Sequence, residues 1–199
     1  VCVIKVHTIP NHSISLGKIL GINLRIDQSW FIMFAFLSWI LAENYFPIEM
    51  PDLTTMVYWV LAIVTSVLFF GTVLLHELGH SLTAQHFKLK PTYIILYVFG
   101  GLADIGGDIR KALNEFWIAL AGPMTSLLVA VILYFFGGLM INYPAIRFVL
   151  HYLSYTNFLL AFFNMLPAFP LDGGRVFRAL LWKFTNEYQK ATHISIYVS

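Results

Sequence analysis

Two histidines and a glutamate stand together in the run His76-Glu77-Leu78-Gly79-His80. On a helix, positions i and i+4 share a face one turn apart, so His76 and His80 can hold one metal ion between them. Glu77 is rotated by about 100° from His76 and reaches water beside the ion instead of the ion itself. That is the place of a general base in metal-assisted hydrolysis. Gly79 leaves room beside the ligands for another backbone or a substrate.

A catalytic zinc site takes three protein ligands and keeps a fourth position open. The single cysteine, Cys2, excludes both an intramolecular disulfide and a cysteine-rich metal site, so any ion must rely on histidine and carboxylate. Asp172 is the favoured third ligand. It interrupts an apolar run within Leu-Pro-Ala-Phe-Pro-Leu-Asp-Gly-Gly (166–174), where Pro170, Gly173 and Gly174 break helix and free the backbone. The competing reading makes Asp172 the N-cap of a helix that follows. Asn164, eight residues earlier, could donate to a developing oxyanion or hold a substrate backbone. Equally, it could bond to backbone freed by Pro167 and Pro170. His86, His151 and His193 lie near the ends of apolar runs and read as interfacial.

The elements that carry these residues belong in a bilayer. Of 199 residues, 59% are hydrophobic and only 11% charged, with a mean hydropathy of +0.76. An ordinary soluble domain carries about 25% charged residues. Met56–Leu75 is free of charge and long enough to cross ~30 Å of hydrocarbon at 1.5 Å per residue. The helix is expected to run on through the histidines to about His86. An ionisable group at mid-membrane costs at least ~2.5 kcal/mol, and metal ligation supplies a reason for three within five residues. Further apolar spans are expected at about 29–46, 112–141 and from Phe148, the last broken at 166–174.

The expected fold class is therefore an all-α polytopic membrane protein with about four transmembrane helices. A short membrane-associated β segment is expected near 91–107, which is rich in β-branched and aromatic residues and punctuated by glycine pairs. Residues 17–28 alternate like a strand or hairpin. The whole chain, 1–199, reads as one membrane-embedded core domain. It starts at Val1 and ends on an apolar run just beginning, so more chain is expected beyond its C-terminal end. No secretory signal pattern opens it. Lys18, Arg25, Lys88, Lys90, Arg110, Lys111, Arg178 and Lys183 fall at one set of span ends, so the positive-inside rule puts both ends of the chain in the cytoplasm. The scattered basic residues form no dense patch for nucleic acid.

HELGH within a span, Gly100-Gly101, Ala-Gly-Pro at 121–123 and Asn-Met-Leu-Pro-Ala-Phe-Pro-Leu-Asp-Gly-Gly-Arg at 164–175 together resemble the site-2 protease family of intramembrane metalloproteases. The opening from Ser15 is similar to its bacterial and archaeal members, and the resemblance runs to about Lys183. It implies His76, His80 and Asp172 as ligands to Zn2+, Glu77 as catalytic base and Asn164 at the active site. Gly100 and Gly101 are taken as substrate-binding positions. It implies hydrolysis within transmembrane segments of other proteins, in the plasma or inner membrane of a prokaryote. The chain departs from the pattern at Asp27-Gln28, where relatives often have His-Pro, and relatives usually continue through two more spans. From the residues alone, two other classes stay open: a zinc or proton transporter built on the same side chains, and a silent membrane scaffold. The intact Glu77 speaks against the scaffold, and a single compact cluster speaks against a transport path.

Overall fold

The computed structural model describes residues 13–98 and 100–198. Cys2 and Phe99, the latter inside the expected strand segment, lie outside the described residues. Strands β1 (Ser13–Ile19) and β2 (Ile22–Asp27) form a hairpin and lead directly into helix α1 (Gln28–Ile40). Asp27 caps that helix, accepting from Ser29 N at 3.0 Å and Ser29 Oγ at 2.6 Å, which gives the Asp27-Gln28 step a structural role. A π-helical turn (Leu41–Tyr45) and the short helix α2 (Phe46–Glu49) extend this first span to Glu49. It therefore runs past Phe46, because Pro47 sits in the first turn of α2, where its missing N–H costs nothing.

Helix α3 (Thr55–His86) is continuous for 32 residues. Strands β3 (Tyr93–Tyr97) and β4 (Gly100–Ala103) follow, then α4 (Ala112–Leu139), α5 (Pro144–Asn164), α6 (Asp172–Thr185) and α7 (Tyr188–Val198). Among the described residues, four spans are long and apolar enough to cross a membrane: Gln28–Glu49, Thr55–His86, Ala112–Leu139 and Pro144–Asn164. The fourth apolar run is not one helix. It stops at Asn164, and the proline-bearing turn 165–171 sets off α6 as a separate amphipathic helix.

The β segment is larger than its own sequence suggests. β3 pairs in parallel with β2, across two spans, and antiparallel with β4, giving one sheet in the order β1-β2-β3-β4. Ile22, Leu24 and Ile94 pack on Leu78, while Ile26 and Leu96 pack on Val73. The sheet thus grips α3 on both sides of His76. A separate cluster of Leu41, Ala42, Phe46, Tyr58, Ala62, Val149 and Leu153 binds the other end of α3 to α5 and the first span. Asn157 adds a fully buried bond to Thr72 Oγ1 at 3.0 Å.

Candidate metal centre

His76 and His80 lie on one face of α3 and are both buried. Their Nε2 atoms are 3.2 Å apart, and Asp172 Oδ2 stands 3.2 Å from the first and 3.0 Å from the second. Among the described residues, this is the group of His, Asp and Glu close enough to share an ion. The near-equilateral triangle matches one face of a tetrahedron with bonds of ~2.0–2.1 Å, whose edges are about 3.3 Å.

The chemistry of the donors agrees with that shape. His80 Nδ1 donates to Ile118 O at 2.6 Å, a bond that only a protonated Nδ1 can make, so in the neutral ring its Nε2 offers a lone pair. His76 Nδ1 is likewise engaged by Ser126 Oγ at 2.9 Å. Two ring nitrogens and a carboxylate oxygen within 3.2 Å of one another need a cation or a proton among them. Such contacts from the far ring nitrogens fix tautomer and ring orientation in zinc sites. No sequence signal pointed to Ile118, whose contribution is a backbone carbonyl, and Ser126 reads as ordinary polar glue between membrane helices.

Asp172 is the first residue of α6, and the cap is Leu171, which makes no side-chain capping bond. The capping role weighed for Asp172 is therefore not the one it takes up; its carboxylate turns to the histidines. Arg175 Nη1 steadies the other oxygen, Oδ1, at 3.7 Å. Gly173 and Gly174 are required by crowding: any Cβ there would collide with the backbone of Met165, Leu166 and Ala168. The turn 165–171 can thus fold tightly over the start of α6.

Helix α4 supplies the rest of the frame along one stripe. Ile118, Gly122 and Ser126 recur at intervals of four, on one face. Gly122 lies so close that an added methyl would fall on Nε2 of both histidines. Gly79 makes the reciprocal allowance, since a Cβ there would strike Thr125 and Ala121 of α4. The room expected beside the ligands is filled by another backbone. Gly101 of β4 packs against the Glu77 side chain, whereas no atom lies within 4 Å of the Cβ position of Gly100, which adopts φ +127°. Asn164 donates its amide to Leu160 O at 2.9 Å, inside its own helix. His86 ends α3 and His193 is exposed on α7, while His151 of α5 faces Gly137 and Tyr134 of α4.

The model of peptidase family M50 matches residues 64–147 and 140–199, which include every residue of this cluster. The chain belongs to peptidase family M50. Its four apolar spans make it an integral membrane protein, mostly helical with one small sheet. Among curated relatives, a zinc metalloprotease of Methanocaldococcus jannaschii is 35% identical over 189 residues, covering 93% of this chain and 50% of the relative. A Synechocystis protein is 31% identical over 186 residues, covering 93% and 48%. The chain spans about half the length of the curated relatives it matches. The solved structure of the site-2 protease from Methanocaldococcus jannaschii aligns with a TM-score of 0.62 at 33% identity, covering 92% of this chain and 77% of that one.

Proposed function

We propose that this chain is the membrane-embedded core of a zinc metalloprotease that hydrolyses peptide bonds within or near transmembrane segments of other membrane proteins. The triangle of His76 Nε2, His80 Nε2 and Asp172 Oδ2, with Glu77 one residue along the same helix, is the observation that carries it. Membership of M50 and the metalloprotease relative support the same chemistry.

His76, His80 and Asp172 would hold the ion. Zinc bound there supplies Lewis acidity toward water and the scissile carbonyl. Glu77 takes a proton from water as the water oxygen attacks the carbonyl carbon. It then returns that proton to the amide nitrogen as the C–N bond breaks, leaving a carboxylic acid and an amine. Asn164 is suited to hold the substrate backbone, once its bond to Leu160 O is exchanged.

A substrate helix hides its carbonyls in its own hydrogen bonds and must unwind before it is cut. β4 is an edge of the sheet and runs past Glu77 through Gly101, so an unwound segment can add to it as a further strand. β3 lies inside the sheet and cannot play this part. Lys88, Lys90, Arg110 and Lys111 are exposed around the exit of α3 and the entry of α4. They support a cytoplasmic face there, with both ends of the chain on that side of a prokaryotic plasma or inner membrane.

The test reconstitutes the protein with zinc in liposomes alongside single-span peptides that carry helix-breaking residues. Wild type should cut, and Glu77→Gln should bind zinc but not cut. Equal cutting by both proteins sinks the reading, as does zinc crossing the liposome membrane without any cutting.

A further inference from the structure

A second charged pair is buried away from the ligands. Glu115, in the first turn of α4, is bonded by Arg178 of α6. Glu115 is 1% exposed and Arg178 9%. A basic residue at the end of an apolar run reads as an interfacial charge, so the sequence hid this contact. The Arg178 guanidinium also lies 5.2 Å from the ring centroids of Phe169 and Tyr188. It therefore touches α4, the turn before Asp172 and α7 at once.

This pair is poorly suited to be a simple stabiliser. Glu115 Oε2 and Arg178 Nε are buried without a hydrogen-bond partner. Buried ion pairs of this kind are often replaceable by apolar residues at no loss, because desolvation offsets their attraction. Its position has more to say. Glu115 stands three residues before Ile118 and continues the stripe of Ile118, Gly122 and Ser126 that faces the metal centre. One helix face thus holds His80 through Ile118 O, holds His76 through Ser126, and holds α6 through Glu115.

We infer that Glu115 and Arg178 are a positioning pair that sets α6 against α4 so that Asp172 meets the two histidines of α3. The inference rests on the ligand assignment proposed above. Arg178 reaches Asp172 by two routes: along α6, and through Phe169 in the turn that precedes it. Losing the pair frees the third ligand while leaving the bonds from α4 to His76 and His80 in place.

The experiment measures zinc affinity by chelator competition, together with thermal unfolding of the metal-free protein. It compares wild type, Glu115→Gln, and the control Leu153→Ala in the distant cluster. The pair predicts an affinity loss of tenfold or more for Glu115→Gln, in the range seen when outer contacts of a metal site are removed. Leu153→Ala should lower the unfolding temperature yet keep wild-type affinity. Should Glu115→Gln not fold, Arg178→Lys, which keeps the charge but loses the planar fork, carries the same expectation. Wild-type affinity in the Glu115 or Arg178 variant overturns the inference, as does an equal affinity loss in the control. If wild type itself binds no zinc, the ligand assignment falls and the inference with it.

Discussion

Gly101 of the edge strand lies directly on the Glu77 side chain: a methyl group added to it would stand 2.7 Å from Glu77 Cδ and 2.8 Å from Oε1. The residue proposed as base is thus seated by a strand, while the helix that carries it presents the ligands. Base and ligands are supported by different elements, which makes them separable by mutation.

Gly101→Ala should push the Glu77 carboxylate out of place without touching the ligand triangle. A displacement of about 1 Å can cost ~100-fold in rate, so turnover should fall by roughly that factor while zinc content stays at one per chain. Metal analysis beside a single-turnover cleavage assay checks this, and an unchanged rate would remove Gly101 from the site.

Gly122→Ala makes the opposite demand. Its Cβ would occupy the space between His76 Nε2 and His80 Nε2. Zinc should be lost along with all cleavage, in a protein that still folds. Stoichiometric zinc in this variant would show that the helices yield, contrary to the close packing of α3 on α4.

Ser126→Ala removes the partner of His76 Nδ1 and leaves the ligands themselves intact. Zinc affinity should fall about 10–100-fold. Ser126→Thr, which keeps the hydroxyl, should recover most of it. A chelator titration without any loss would mean that packing alone orients the His76 ring.

The bond between Asn157 and Thr72 is buried among apolar spans, yet its contribution should be small. Coupling between such pairs in membrane proteins averages ~0.6 kcal/mol, because the unfolded chain in the bilayer also finds partners. A double-mutant cycle with Asn157→Ala and Thr72→Ala, read by detergent denaturation, should give about that value. A coupling above ~2 kcal/mol would mark the pair as more than glue.

The ligand helix was legible in the sequence, because an uncharged twenty-residue run fixes a span and two histidines at i and i+4 fix a face. The break that carries Asp172 was legible too, from proline and glycine in the fourth run, and its carboxylate meets the two histidines proposed as ligands. The supports of the site were not. Ile118 acts through its carbonyl, which any residue provides, and Glu115 finds Arg178 only because α4 and α6 meet across 63 residues of chain. The sheet was half legible: alternation marks β2 as a strand and β-branched and aromatic residues mark β3, but their parallel pairing joins residues separated by two spans.

The three proposed ligands are synthesised at very different times. His76 and His80 are in place once the second span is inserted, but Asp172 follows 92 residues after His80, behind two more spans. Two histidines alone leave a zinc site incomplete, so on the proposed ligand set a nascent chain would hold metal weakly and cut nothing. The proposed protease would thereby be silent during its own insertion, beside other unfinished membrane proteins. On the proposed reading, activity would begin only when α6 docks, so a complete ligand set would coincide with assembled helices.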